Sequence, residues 1–119
     1  MATSIVVTTQ HTFGDGPLTT YTFNGSIEDP TNSGVLSIPT GVWTSIDKGA
    51  LTGTLNYVHF FNQDLTNFID ISSDVSGTPV LFRLEPGQNA IFPCGAGLTA
   101  FWANADTAAC LLEYHFFEA

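Results

Sequence analysis

Glycine or proline interrupts this chain about every ten residues, and no segment between the interruptions keeps a helical period. That spacing limits each regular element to a short strand. The intervening runs are rich in Thr, Val and Phe, side chains that suit a pleated, half-buried surface. The expected fold class is therefore all-β, with nine or ten short strands and essentially no helix. Hairpin-sized connections make the sheets mainly antiparallel. So many strands fold over into two packed sheets, an antiparallel β-sandwich of jelly-roll type. A length of 119 residues suits one domain over 1–119, with 1–13 as an extended N-terminal arm or edge strand.

The expected strands follow the apolar runs. "SIVVTTQHTF" (4–13) precedes a "GDGP" turn, and "LTTYTFNGSI" (18–27) follows it. "EDPTNSG" (28–34) reads as a polar loop, the expected exposed excursion of the N-terminal half. "VLSIPTGVWTSI" (35–46) reads as two strands broken at Pro39–Gly41, and "DKGALTG" (47–53) as a turn. "TLNYVHFFNQ" (54–63) is apolar on both faces, which points to a central strand. "LEPG" places Pro86 and Gly87 where a type II turn prefers them. Short strands in "NFIDISS", "PVLFRLEPG", "QNAIFPCGAG" and "LTAFWANA" lead to the closing strand "DTAACLLEYHFFEA".

Charge narrows the partners. Charged residues are 11% of the chain, against about 25% in a typical domain. Only Lys48 and Arg83 are basic, and the net charge is −9. Two cations cannot neutralise a row of phosphates, so nucleic acid and anionic membranes are excluded as expected partners. The polar surface is built from Thr, Ser, Asn and Gln, which desolvate more cheaply than ions. A surface of that kind suits burial against another subunit. The start "MATSIVVTTQ" has no basic n-region, and both thiols, Cys94 and Cys110, are expected to be free.

The closing strand holds the densest chemistry, with Asp106, Cys110, Glu113 and His115 within ten residues. Alternation sends Cys110 and His115 to opposite faces, so they form no local thiol–imidazole dyad. Glu113 and His115 share a face about 7 Å apart, too far for an expected direct hydrogen bond. Asp106 reads as a turn residue. A catalytic set would need His11 or His59 to approach from another strand. Three further sites are conceivable: a metal held by His11, His59 and His115, calcium held by Asp64, Asp70 and Asp74, and a sugar-stacking surface of Trp43 and Trp102. None has a recognised ligand spacing.

The segments "LNYVHFFNQDLTNFIDIS" and "FRLEPGQNAIFPCGAGLTAFWANADTAACLLEYHFFE" resemble small β-sandwich virion proteins of tailed bacteriophages. The match lies in Asn56–Asn62, Asn67–Ile71, Leu84–Gly87 and Ala103–Glu118, with Gln88 where an acid is commoner. The resemblance spans residues 54–118. It implies a non-enzymatic capsid decoration (cement) protein on the capsid exterior, working as a homo-oligomer, expected as a trimer, against the major capsid protein. It implies no cofactor and no catalytic residue. The expected interface residues are His115, Glu113, Glu28, Asp29 and Lys48. The alternatives are a carbohydrate-binding or host-recognition module using Trp43 and Trp102, and a cupin-like metalloenzyme using the three histidines.

Overall fold

The computed structural model describes residues 2–12, 14–47, 55–94 and 98–118, with side chains outside 2–5 and 25–32. Among them there is no helix, and the nine strands form two antiparallel sheets. The strands are β1 (Ala2–His11), β2 (Thr19–Ile38), β3 (Thr44–Ser45), β4 (Leu55–Asn62), β5 (Ile69–Ser72), β6 (Val80–Leu84), β7 (Asn89–Pro93), β8 (Trp102–Ala105) and β9 (Cys110–Glu118). One sheet has the order β1-β2-β9-β4-β7 and the other β3-β8-β5-β6. Without β1, these are two four-stranded sheets whose successive strands alternate between layers except at the β5–β6 hairpin, the connectivity of a jelly roll.

The core follows from alternation. Ile38, Val58, Phe60, Cys110, Leu112 and Phe116 point inward from the five-stranded sheet, and Ile69, Ile71, Leu84, Ala103 and Ala105 face them. Phe60, Phe101 and Phe116 are fully buried. The Phe60 ring meets Phe101 at 5.3 Å and Phe116 at 5.9 Å, both edge-on. Edge-on packing aligns the positive rim of one ring with the negative face of the next.

Several expectations hold in detail. β4 is interior, between β9 and β7. Gln88 N–H donates to Glu85 C=O at 2.9 Å, and Gly87 has φ +78, so residues 85–88 form the expected type II turn. The thiols are free, with Cys110 buried.

The expected loop at 28–34 fails. Residues 28–34 are not a loop but the middle of β2, a continuous strand of 20 residues. The reason is visible in the pairing with β9, which shifts register between Glu28 and Thr31. The two skipped residues are Asp29 and Pro30, so proline, which has no N–H, sits in a bulge rather than in the ladder. Gly34 is also accommodated, because a Cβ there would stand 2.9 Å from the Tyr114 hydroxyl oxygen. The missing side chain lets Tyr114 cross the strand.

The first half of β2 pairs with β1 alone. Ten residue pairs, Ala2↔Glu28 to His11↔Thr19, make a two-stranded ribbon about 30 Å long. It leaves the sheet beyond the end of β9 and leans on the outer face, where Phe23 meets Tyr57 at 5.0 Å. The ribbon expands the molecule. The radius of gyration is 15.0 Å, against about 13.5 Å for a compact chain of this length.

Candidate functional site

Register builds the site. On the outer face of the five-stranded sheet, His59 of β4 lies directly opposite His115 of β9, and Phe61 lies opposite Glu113. The ladder continues outward, with Ser33 opposite His115 and Ile91 opposite His59. The two imidazoles stack with centroids 5.5 Å apart and an interplanar angle of 19°. His115 Nε2 lies 2.9 Å from Glu113 Oε2. This corrects the expectation that the two residues are too far apart to bond. Their backbones are two residues apart, but the flexible glutamate side chain leans along the strand and closes the gap.

Two neighbours hold the cluster in place. Gln63 Nε2–H donates to Glu113 Oε1 at 3.0 Å, so both carboxylate oxygens are engaged. His59 Nε2 lies 3.3 Å from Asn89 Oδ1. An amide oxygen only accepts, so in a hydrogen bond between these two atoms His59 Nε2–H is the donor. The hydrogen bond from His115 holds the Glu113 carboxyl below the usual carboxylate range, with the Gln63 contact adding to it. Glu113 and His115 side chains are each 34% exposed, so the group is open to water on one side.

His59, Glu113 and His115 offer donor atoms all within 4.8 Å of one another, and are the one such group of three among the described residues. Two of the three histidines considered from sequence therefore meet, with Glu113 as the third member. His11 lies on the ribbon, stacked on Tyr21 at 6.3 Å.

The other candidates separate. Asp64 Oδ2 accepts from Thr66 N–H at 2.9 Å and Asn67 N–H at 2.6 Å. Asp70 binds Arg83 through two contacts of 2.8 and 3.2 Å. Asp74 accepts from the Ser76 backbone and hydroxyl. Each acid has its own local partner, and the three build no shared calcium site. Asp106 lies in the bend before β9, its N–H donating to Phe68 C=O. Trp43 is half-buried, its ring against Gly77, and Trp102 is half-buried on β8. Glu28 and Asp29 lie at the β2 bulge, but their side chains, like all of Lys48, are outside the described residues.

Sequence reasoning missed Gln63, Asn89 and Asn62. The first two matter only through cross-strand neighbours, which no local pattern reveals. Asn62 is fully buried, its amide donating to Asn67 C=O and Leu84 C=O and accepting from Asp64 N–H. The signal available for it was a polar residue on the inward phase of β4, with Val58 and Phe60.

Two clefts flank β7. The larger, about 540 Å³, is lined by residues such as Leu81, Phe82, Ala90, Ile91, Phe92 and Leu98 and has no ionisable side chain. The smaller, about 270 Å³, lies under the ribbon between Val7, Tyr21, Phe23, Tyr57 and Pro93. Comparison with family models, curated proteins and solved structures returned no match.

Proposed function

We propose that this chain is a non-enzymatic structural subunit of a tailed-phage virion, a capsid decoration protein that assembles as a homo-oligomer, expected as a trimer, on the major capsid protein. The observation that carries the assembly role is the β1–β2 ribbon. A two-stranded ribbon is marginal in water by itself. This one leaves large apolar groups exposed, Tyr21 at 63% and Phe23 at 41% on the face that leans on the sheet, and Val6 at 62% on the other face, otherwise polar. The outward edge of β1 is unpaired over ten residues among the described strands, a ready template for a neighbouring chain. A second subunit supplies what the ribbon lacks on both counts.

The charge pattern supports the same reading. Arg83, the only arginine, is engaged with Asp70 and lies over the Phe68 ring at 3.5 Å. The surface offers a partner few ions to strip of water. The larger cleft is mainly apolar and has no ionisable side chain among its lining residues. The virion assignment rests on the resemblance of residues 54–118, because a jelly roll by itself serves capsid proteins, lectins and cupins alike.

Co-sedimentation with purified mature capsids of the phage that carries the gene tests this function. Saturable binding supports it, and binding that fades when Val6 and Tyr21 are replaced by Glu ties it to the ribbon. Protein that stays in the supernatant at every concentration refutes the capsid role.

A further inference from the structure

We propose that His59, Glu113 and His115 form a site for one divalent transition-metal ion of the Zn²⁺ class, bridging β4 and β9 on the outer face of the five-stranded sheet. This is independent of the assembly role and rests on different residues.

Three observations carry it. The donor set, two imidazoles and one carboxylate, is a recurrent zinc set, and one donor atom from each residue lies within 4.8 Å of the other two. The pair His115 Nε2 and Glu113 Oε2, 2.9 Å apart, is close to the roughly 3.4 Å separating nitrogen and oxygen ligands around a tetrahedral zinc. Replacing the shared proton by a metal ion needs only a small opening of that contact. Two of the ligands already have the outer partners that orient metal-binding groups. Asn89 Oδ1 lies 3.3 Å from the His59 ring, and Gln63 holds the second oxygen of Glu113.

The surroundings favour a cation. The chain carries a net charge of −9, which raises the local cation concentration. Imidazole donors select zinc-class metals over Mg²⁺ and Ca²⁺, which prefer all-oxygen ligands. The thiols do not compete. Cys110 points into the core, and burial pushes the Cys94 thiol up to about 11, so it remains protonated near neutrality. Three protein ligands leave a fourth position to water or to a group from outside the chain.

The test is titration of chelator-stripped full-length protein with ZnCl₂ by calorimetry, and with CoCl₂ by visible absorption. The expected result is one equivalent of Zn²⁺ with a Kd of about 10 µM or tighter. Co²⁺ should give d–d bands of low coordination number without a thiolate charge-transfer band. Zn²⁺ should raise the melting temperature. Glu113→Gln keeps the side-chain shape and should weaken binding at least about 100-fold, while Gln63→Ala should weaken it about 10-fold. His11→Ala should bind as the wild type does. Melting in chelator checks that each variant is folded. No saturable wild-type binding overturns the site, as does undiminished binding in folded Glu113→Gln. Equal affinity for Mg²⁺ or Ca²⁺ overturns the metal class.

Discussion

His59 on β4 and His115 on β9 face each other across the ladder, rings stacked at 5.5 Å, on the side of the sheet opposite the core. Next to His59 in sequence, Phe60 is fully buried and touches three other phenylalanines, Phe92, Phe101 and Phe116. Adjacent residues of one strand therefore play unlike roles. Phe60→Ala is expected to cost about 3–5 kcal/mol through lost burial and a cavity. His59→Ala, measured with chelator present, is expected to cost about 1 kcal/mol or less. Urea denaturation of both variants checks the contrast, and similar costs would mean that the two faces are misassigned.

Asn62 ties three segments together from inside the sandwich. Its amide satisfies the carbonyls of Asn67 and Leu84 and the N–H of Asp64. Asn62→Ala leaves these groups without their partner and is expected to cost about 3 kcal/mol. Asn62→Asp should be no better, because a carboxylate cannot donate to the two carbonyl oxygens. Equilibrium denaturation of both variants measures this.

Much of this fold is legible in the chain. In β9, Cys110, Leu112 and Phe116 face the core while Leu111, Glu113 and His115 face outward, as alternation alone requires. The turn at Glu85–Gln88 follows from Pro86 and Gly87. What was hidden has a common physical cause. Pro30 reads as a break until the bulge that excuses it from the ladder is known. The meeting of His59 with His115 depends on which strands are neighbours, and strand order is a property of the whole fold. The Glu113–His115 contact depends on side-chain reach, which backbone spacing understates.

The acid limb of stability should depend on Asp64 and Asp74. Hydrogen bonds from the Asn67 and Thr66 N–H groups hold the Asp64 carboxyl below the usual 3.8. The Ser76 hydroxyl and N–H do the same for Asp74. A carboxyl depressed in the folded state binds fewer protons there than in the unfolded chain. Its stabilisation is thus complete above about pH 4 and lost as pH falls through the folded value. Denaturation profiles between pH 2 and 6 should show this loss, and Asp64→Ala should flatten it while lowering stability at pH 6. An unchanged acid slope in that variant would remove Asp64 from the explanation.

Gly77 is fixed by both conformation and space. Its φ is +79, and a Cβ would fall 2.0 Å from the Trp43 ring. Gly77→Ala is expected to displace the indole and cost more than about 1 kcal/mol. A red shift of tryptophan emission, with greater quenching by acrylamide, should accompany the loss. Emission and stability matching the wild type would show that Trp43 does not rest on this glycine.

The central claim is that the ribbon formed by β1 and the first half of β2 is an assembly element. Light scattering coupled to size exclusion, run from low to high micromolar concentration, measures it most directly. The expected mass is three times 12.7 kDa. Replacing both Val6 and Tyr21 by Glu should yield a folded monomer with the melting behaviour of an intact sandwich. A wild-type protein that stays monomeric at every concentration, or a ribbon variant that assembles as well as the wild type, would contradict the claim.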